Sequence, residues 1–131
     1  MKSNQKLHDI AAAIIIGIRD IIDNVKPEIV LVHGDTLTST AAALSYFYSN
    51  IDIGHVEAGL RTNNILSPWP EEANRQLTSR IATLNFAPTK KNQFDLINEN
   101  IDYYEQNMIT LYSRKKSRNV VIKSLIQFKS G

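Results

Sequence analysis

Cysteine is absent from the 131 residues, and glycine and proline are sparse at five and four. Without thiols the chain builds neither a disulfide framework nor a cysteine-ligated metal centre, and a cytoplasmic setting is expected. Long apolar runs are missing too. Nothing approaches the roughly 18 consecutive apolar residues of a membrane span. Ala11 to Ile18, following Lys2 and Lys6, has the outline of a signal-peptide core. Its apolar residues, however, belong to the set Leu7, Ile10, Ala11, Ile14, Ile15, Ile18, Ile21 and Ile22, spaced three and four apart. That is the stripe of an amphipathic helix, with Asp9, Arg19, Asp20 and Asp23 on the remaining arc.

A strong charge of one sign is also lacking: the net charge is +2. Residues 1–101 hold nine Lys/Arg against eleven Asp/Glu, and residues 102–131 hold six against two. The basic character therefore belongs to the tail. A nucleic-acid binder would carry a basic face across its folded body, so no nucleic-acid partner is expected.

What is present is regular alternation of apolar strands and helices. Asn24 to Pro27 ends the first helix, and Glu28 to Val32 reads as a buried parallel strand. His33 to Thr36 is a turn, and a second helix is expected from Leu37 to Ser49, with Asp35 or Thr36 as its N-cap. Ile51 to Val56 is a second strand. Glu57 to Pro70 has no periodicity and reads as a loop. Pro70, Glu71 and Glu72 suit the start of a third helix running to about Ala82. Thr83 to Ala87 is a third strand, and Thr89 caps a fourth helix to about Asn100. This order predicts an α/β domain with a doubly wound, Rossmann-like parallel sheet covered on both faces. Beyond Asn100 the pattern is lost until Val120 to Ile122. Two segments are therefore expected, an incomplete Rossmann-like domain over 1–101 and a divergent basic tail over 102–131.

Open parallel sheets bind ligands beyond the carboxyl ends of their strands, where both Asp35 and Glu57 fall. In His33-Gly34-Asp35-Thr36 the glycine permits a tight turn or close ligand approach, and Asp35 is either a ligand-facing acid or a helix cap. Glu57 and Arg61 are either an acid tuned by a nearby cation or a surface ion pair. Ser67 to Arg75 brackets the only tryptophan, Trp69, with two prolines ahead of two adjacent carboxylates.

Together, Val32 to Thr36, Gly54 to Arg61 and Ser67 to Arg75 closely resemble segments of the bacterial non-hydrolysing UDP-N-acetylglucosamine 2-epimerases, in the same order and at similar spacing. The resemblance runs from about Leu7 to Ile101 and includes Asn85 to Thr89. It implies half of a glycosyltransferase-B type fold, with a first strand expected ahead of Met1 and a second domain expected beyond the tail. It also implies a homodimer or a complementing chain, no cofactor and no metal. The implied reaction interconverts UDP-N-acetylglucosamine and UDP-N-acetylmannosamine. Asp35, Glu57 and Glu71 match the family's acidic active-site residues. His55, Arg61, Glu72, Asn74 and Arg75 are expected near the sugar or a nucleotide-sugar pocket, and His33 is expected to be structural.

Two rival readings stand beside this one. His33 with Asp35, and His55 with Glu57, form like-sided pairs that can chelate zinc or manganese in a metal-dependent hydrolase. That reading leaves the Pro-Trp-Pro-Glu-Glu segment unexplained. The other rival is a non-catalytic remnant or subunit, inactive without a second chain.

Overall fold

The computed structural model describes residues 4–106 together with 120 and 121. The elements run α1 (Leu7–Val25), β1 (Ile29–His33), α2 (Leu37–Tyr48), β2 (Asp52–Val56), α3 (Glu71–Ile81), β3 (Leu84–Ala87), α4 (Lys90–Asn98), β4 (Tyr104–Glu105) and β5 (Val120–Val121). They form one five-stranded sheet in the order β4-β3-β2-β1-β5, and every pairing is parallel.

The sheet's two faces follow from the alternation of side chains along each strand. Val30, Val32 and Ile53 point to one face, where they meet Ile18 of α1 and Ala42, Ala43 and Tyr46 of α2. Ile81 and Ala82, at the end of α3, join the same cluster. Small alanines on α2 let helix and sheet approach closely, so Ala41, Ala42 and Ala43 are all buried. Leu96 of α4 packs on Ala58 and Ala87. Ala87 shares its parity with Asn85, whose amide donates to the Ser79 backbone carbonyl on α3. All four helices thus lie on one face. Ile29, Leu31, Val56, Leu84 and Phe86 form the buried opposite face. Of the expected cover on both faces, the described residues supply helices to one only.

Helix ends follow local chemistry. α1 stops where Lys26 turns left-handed at φ 49° and its N–H returns to Ile22 O. Thr36 and Thr89 cap α2 and α4 by accepting the amides of Ser39 and Asn92. The sheet also continues past Ile101, because Phe86 and Ala87 pair with Tyr104 and Glu105. β5 pairs with Ile29 and Val30, so β1 is an interior strand. The rest of the expected tail, 107–119 and 122–131, lies outside the described residues. No helix among the described residues is long and apolar enough to cross a membrane.

Candidate active site

Adjacent parallel strands deliver the first two acids to one place. His33 and Val56 are paired in register at the ends of β1 and β2, and the Gly34 amide extends that ladder by donating to Val56 O. Gly34 then turns with φ 74°. Because Thr36 serves as the helix cap, Asp35 is not the cap and its carboxylate is left for other partners.

Glu57 follows β2 in a left-handed conformation, φ 66°. A non-glycine residue held there costs on the order of 1–3 kcal/mol and is found most often at functional sites. Its backbone amide donates to Gln106 Oε1 at 3.0 Å, and its Oε2 lies 2.8 Å from His33 Nε2. Both side chains of this pair remain partly exposed at the sheet's carboxyl edge.

The third acid arrives on a helix. Asn74 Nδ2 donates to the Asp35 backbone oxygen at 3.0 Å, and Arg75 Nη2 donates to Asp35 Oδ2 at 2.6 Å. Glu71 lies three and four residues earlier on α3, so it shares that helix face one turn nearer the loop. Asp35 and Glu57 therefore lie at the carboxyl edge of β1 and β2, and Glu71 lies at the start of α3, the helix that Asn74 and Arg75 tie to Asp35. The loop between Glu57 and Glu71 exposes Leu60, Ile65, Leu66 and Trp69, and its Ser67–Pro68 and Trp69–Pro70 bonds are both cis.

The five residues expected near the substrate each have protein partners. His55 is fully buried: Nε2 donates to Gly34 O at 2.8 Å, and Nδ1 faces Ser79 Oγ at 3.1 Å. A carbonyl only accepts, so the proton sits on Nε2 and Nδ1 accepts from Ser79. No ring nitrogen is left for a metal or a sugar, which removes the basis of the metal-hydrolase reading. Arg61 is paired in a fork with both oxygens of Glu99, at 2.7 and 3.0 Å, and not with Glu57. Glu72 is fully buried against Arg75, Thr62 and Gln76. Among the described residues no group of three or more His, Cys, Asp or Glu side chains is placed to hold a metal. Ser79, Glu99 and Gln106 complete the arrangement, and no sequence motif singles them out.

Burial pushes the His55 imidazole down from 6.5 to about 4. The unfolded chain takes up this proton as pH falls through 6.5, while the folded chain resists it until about pH 4. Stability from this group is thus complete above pH 6.5 and lost progressively down to about pH 4, by an amount on the order of 3 kcal/mol. Urea unfolding at a series of pH values measures this. His55→Gln should flatten the dependence across that window, and an unchanged slope would contradict the assignment.

Residues 1–111 match the family model for UDP-N-acetylglucosamine 2-epimerase. A UDP-N-acetylglucosamine 2-epimerase of Neisseria meningitidis serogroup A is 52% identical over 101 residues, covering 77% of this chain and 27% of that protein. The enzyme of that name from Escherichia coli K12 is 48% identical over the same coverage. Among solved structures, the Neisseria meningitidis enzyme bound to UDP-GlcNAc superimposes with a TM-score of 0.77 at 44% identity, over 89% of this chain and 34% of that one. The Methanocaldococcus jannaschii enzyme in complex with UDP-GlcNAc and UDP gives 0.73 at 35% identity, over 78% and 28%. The chain thus spans about a quarter of the length of the curated relatives it matches.

Proposed function

The chain belongs to the UDP-N-acetylglucosamine 2-epimerase family, and from that premise we propose that Asp35, Glu57 and Glu71 are the acids that invert C2 of UDP-N-acetylglucosamine. The observation that carries the reading is that Asp35 and Glu57 follow the carboxyl ends of adjacent parallel strands, where sheets of this kind take their ligands, while Glu71 opens the helix whose Asn74 and Arg75 bind Asp35. Two of the three already have polar partners that orient them, His33 for Glu57 and Arg75 for Asp35.

The chemistry requires several acids. The hydrogen on C2 is not acidified by a carbonyl, so its removal must be coupled to loss of UDP from C1. One carboxylate takes the C2 proton as the C1–O bond breaks, UDP leaves with that electron pair, and a C1=C2 double bond forms. Delivery of a proton to the opposite face of C2 and return of UDP to C1 complete the inversion. Two acid–base groups on opposite faces are the minimum, and the cluster supplies three.

Contacts to the uridine diphosphate belong, in this proposal, to the remaining length of the relatives, contributed by a second domain or another chain. The 131-residue polypeptide alone is therefore expected not to turn over. Incubation with UDP-N-acetylglucosamine in deuterated water, followed by NMR at C2, tests this. Incorporation by the isolated chain above a Glu57→Gln control would show that nothing further is required.

A further inference from the structure

We propose that Glu72 and Arg75 form a buried positioning relay that makes placement of the Asp35 carboxylate and closure of the loop between Glu57 and Glu71 a single event. The functional meaning of the relay rests on Asp35 being one of the epimerase acids. Its existence does not.

Glu72 has no exposed surface. Its Oε1 accepts the backbone amide of Thr62 at 3.1 Å and Nε2 of Gln76 at 2.9 Å, and its Oε2 accepts Arg75 Nη1 at 2.8 Å. The second amino group of the same guanidinium reaches Asp35 Oδ2 at 2.6 Å. A rigid, planar cation thus spans two carboxylates, one fully buried on α3 and one at the sheet edge.

The far end of the relay is the loop itself. Thr62 donates its amide to Glu72 and its hydroxyl to Ser67 O at 2.5 Å, while Ser67 N–H closes on Asn64 O. Residues 62–67 are therefore wound on themselves, and the Thr62 amide joins them to α3. If the loop lifts, Glu72 loses an amide donor in a dry environment, where an unmade hydrogen bond is costly. The carboxylate then reorients and takes the guanidinium with it, and Asp35 loses its fixed partner.

Stability alone does not account for burying a carboxylate here. A buried ion pair is often no more stable than apolar residues of the same volume, so its clearest benefit is a defined geometry. That geometry is delivered to Asp35. Glu72 has no exposed surface and both terminal nitrogens of Arg75 are held by carboxylates, so they act as positioning residues rather than catalytic ones.

Coupling is reciprocal, which separates a relay from independent structural contacts. In the full chain, amide hydrogen exchange at Thr62 is followed by NMR for the parent and for Asp35→Asn. The substitution lies at a partly exposed edge and does not touch Thr62. It should accelerate Thr62 exchange at least about five-fold, the lower end for coupled sites, while the Val30 and Val32 amides of β1 keep their protection. Glu72→Gln, which retains size and removes charge, should accelerate it further. Thr62 exchange unchanged in Asp35→Asn, with β1 protection intact, would overturn the relay whether or not Glu72→Gln folds. Because no turnover is measured, loss of the epimerase reading would appear separately, in the C2 label.

Discussion

Replacing Arg75 by methionine is expected to lower the unfolding free energy by about 3–5 kcal/mol, the cost of leaving one member of a buried pair uncompensated. Glu72 has no exposure, and Arg75 supplies its charge partner. The Thr62 and Gln76 donors would remain, but neither carries charge. Adding Glu72→Leu to Arg75→Met removes the stranded carboxylate and should recover most of the loss, since well-packed apolar replacements of buried ion pairs are often neutral. Urea denaturation of both variants measures this. A single variant as stable as the parent, or a double variant worse than the single, would show that the pair is not closed to water.

Gly59→Ala is the second substitution expected to be severe. Gly59 lies between Glu57 and Arg61 with φ 96°, and a β-carbon there would sit 2.4 Å from the Asn92 carbonyl oxygen and 2.8 Å from its carbon. The obstacle is the backbone of α4's first turn, which cannot swing aside as a side chain would. Steric overpacking and the positive φ together are worth roughly 2–5 kcal/mol. Relief would require moving the segment that carries Glu57 away from α4. Thermal or urea unfolding reads the effect, and a variant indistinguishable from the parent would mean that the loop is held less tightly than these distances imply.

The elements are legible in the sequence because apolar spacing and helix caps are local. The strand expected at Glu28 to Val32 is Ile29–His33, and the helix expected from Pro70 to about Ala82 is Glu71–Ile81. The same local reasoning puts Asp35 and Glu57 at strand ends. β5 falls in the Val120 to Ile122 run where the pattern resumes, whereas the two-residue strand β4 is not legible, since so short a pairing leaves no periodicity. Nor are the partners of the polar residues. His55, Arg61, Glu72, Asn74 and Arg75 are expected near the ligand because the family resemblance implies it, and the resemblance does not give their protein partners. Their actual partners, Ser79 for His55 and Glu99 for Arg61, lie 24 and 38 residues away. Sequence spacing alone gives the residue type at such a position and not the direction its charge faces. Glu72 and Arg75 form a one-turn pair that spacing does allow, but nothing in the spacing indicates that both are buried.

Deuterium incorporation tests most directly whether this segment carries the acids of C2 inversion. Residues 7–106 are grafted in place of the matching segment of the Neisseria meningitidis enzyme, and the chimera is incubated with UDP-N-acetylglucosamine in deuterated water while C2 is followed by NMR. The chimera should incorporate label, and Glu57→Gln should slow it by about 10²–10⁴-fold, the usual range for loss of a general acid or base. A Glu57→Gln chimera that exchanges C2 as fast as its parent would contradict the assignment.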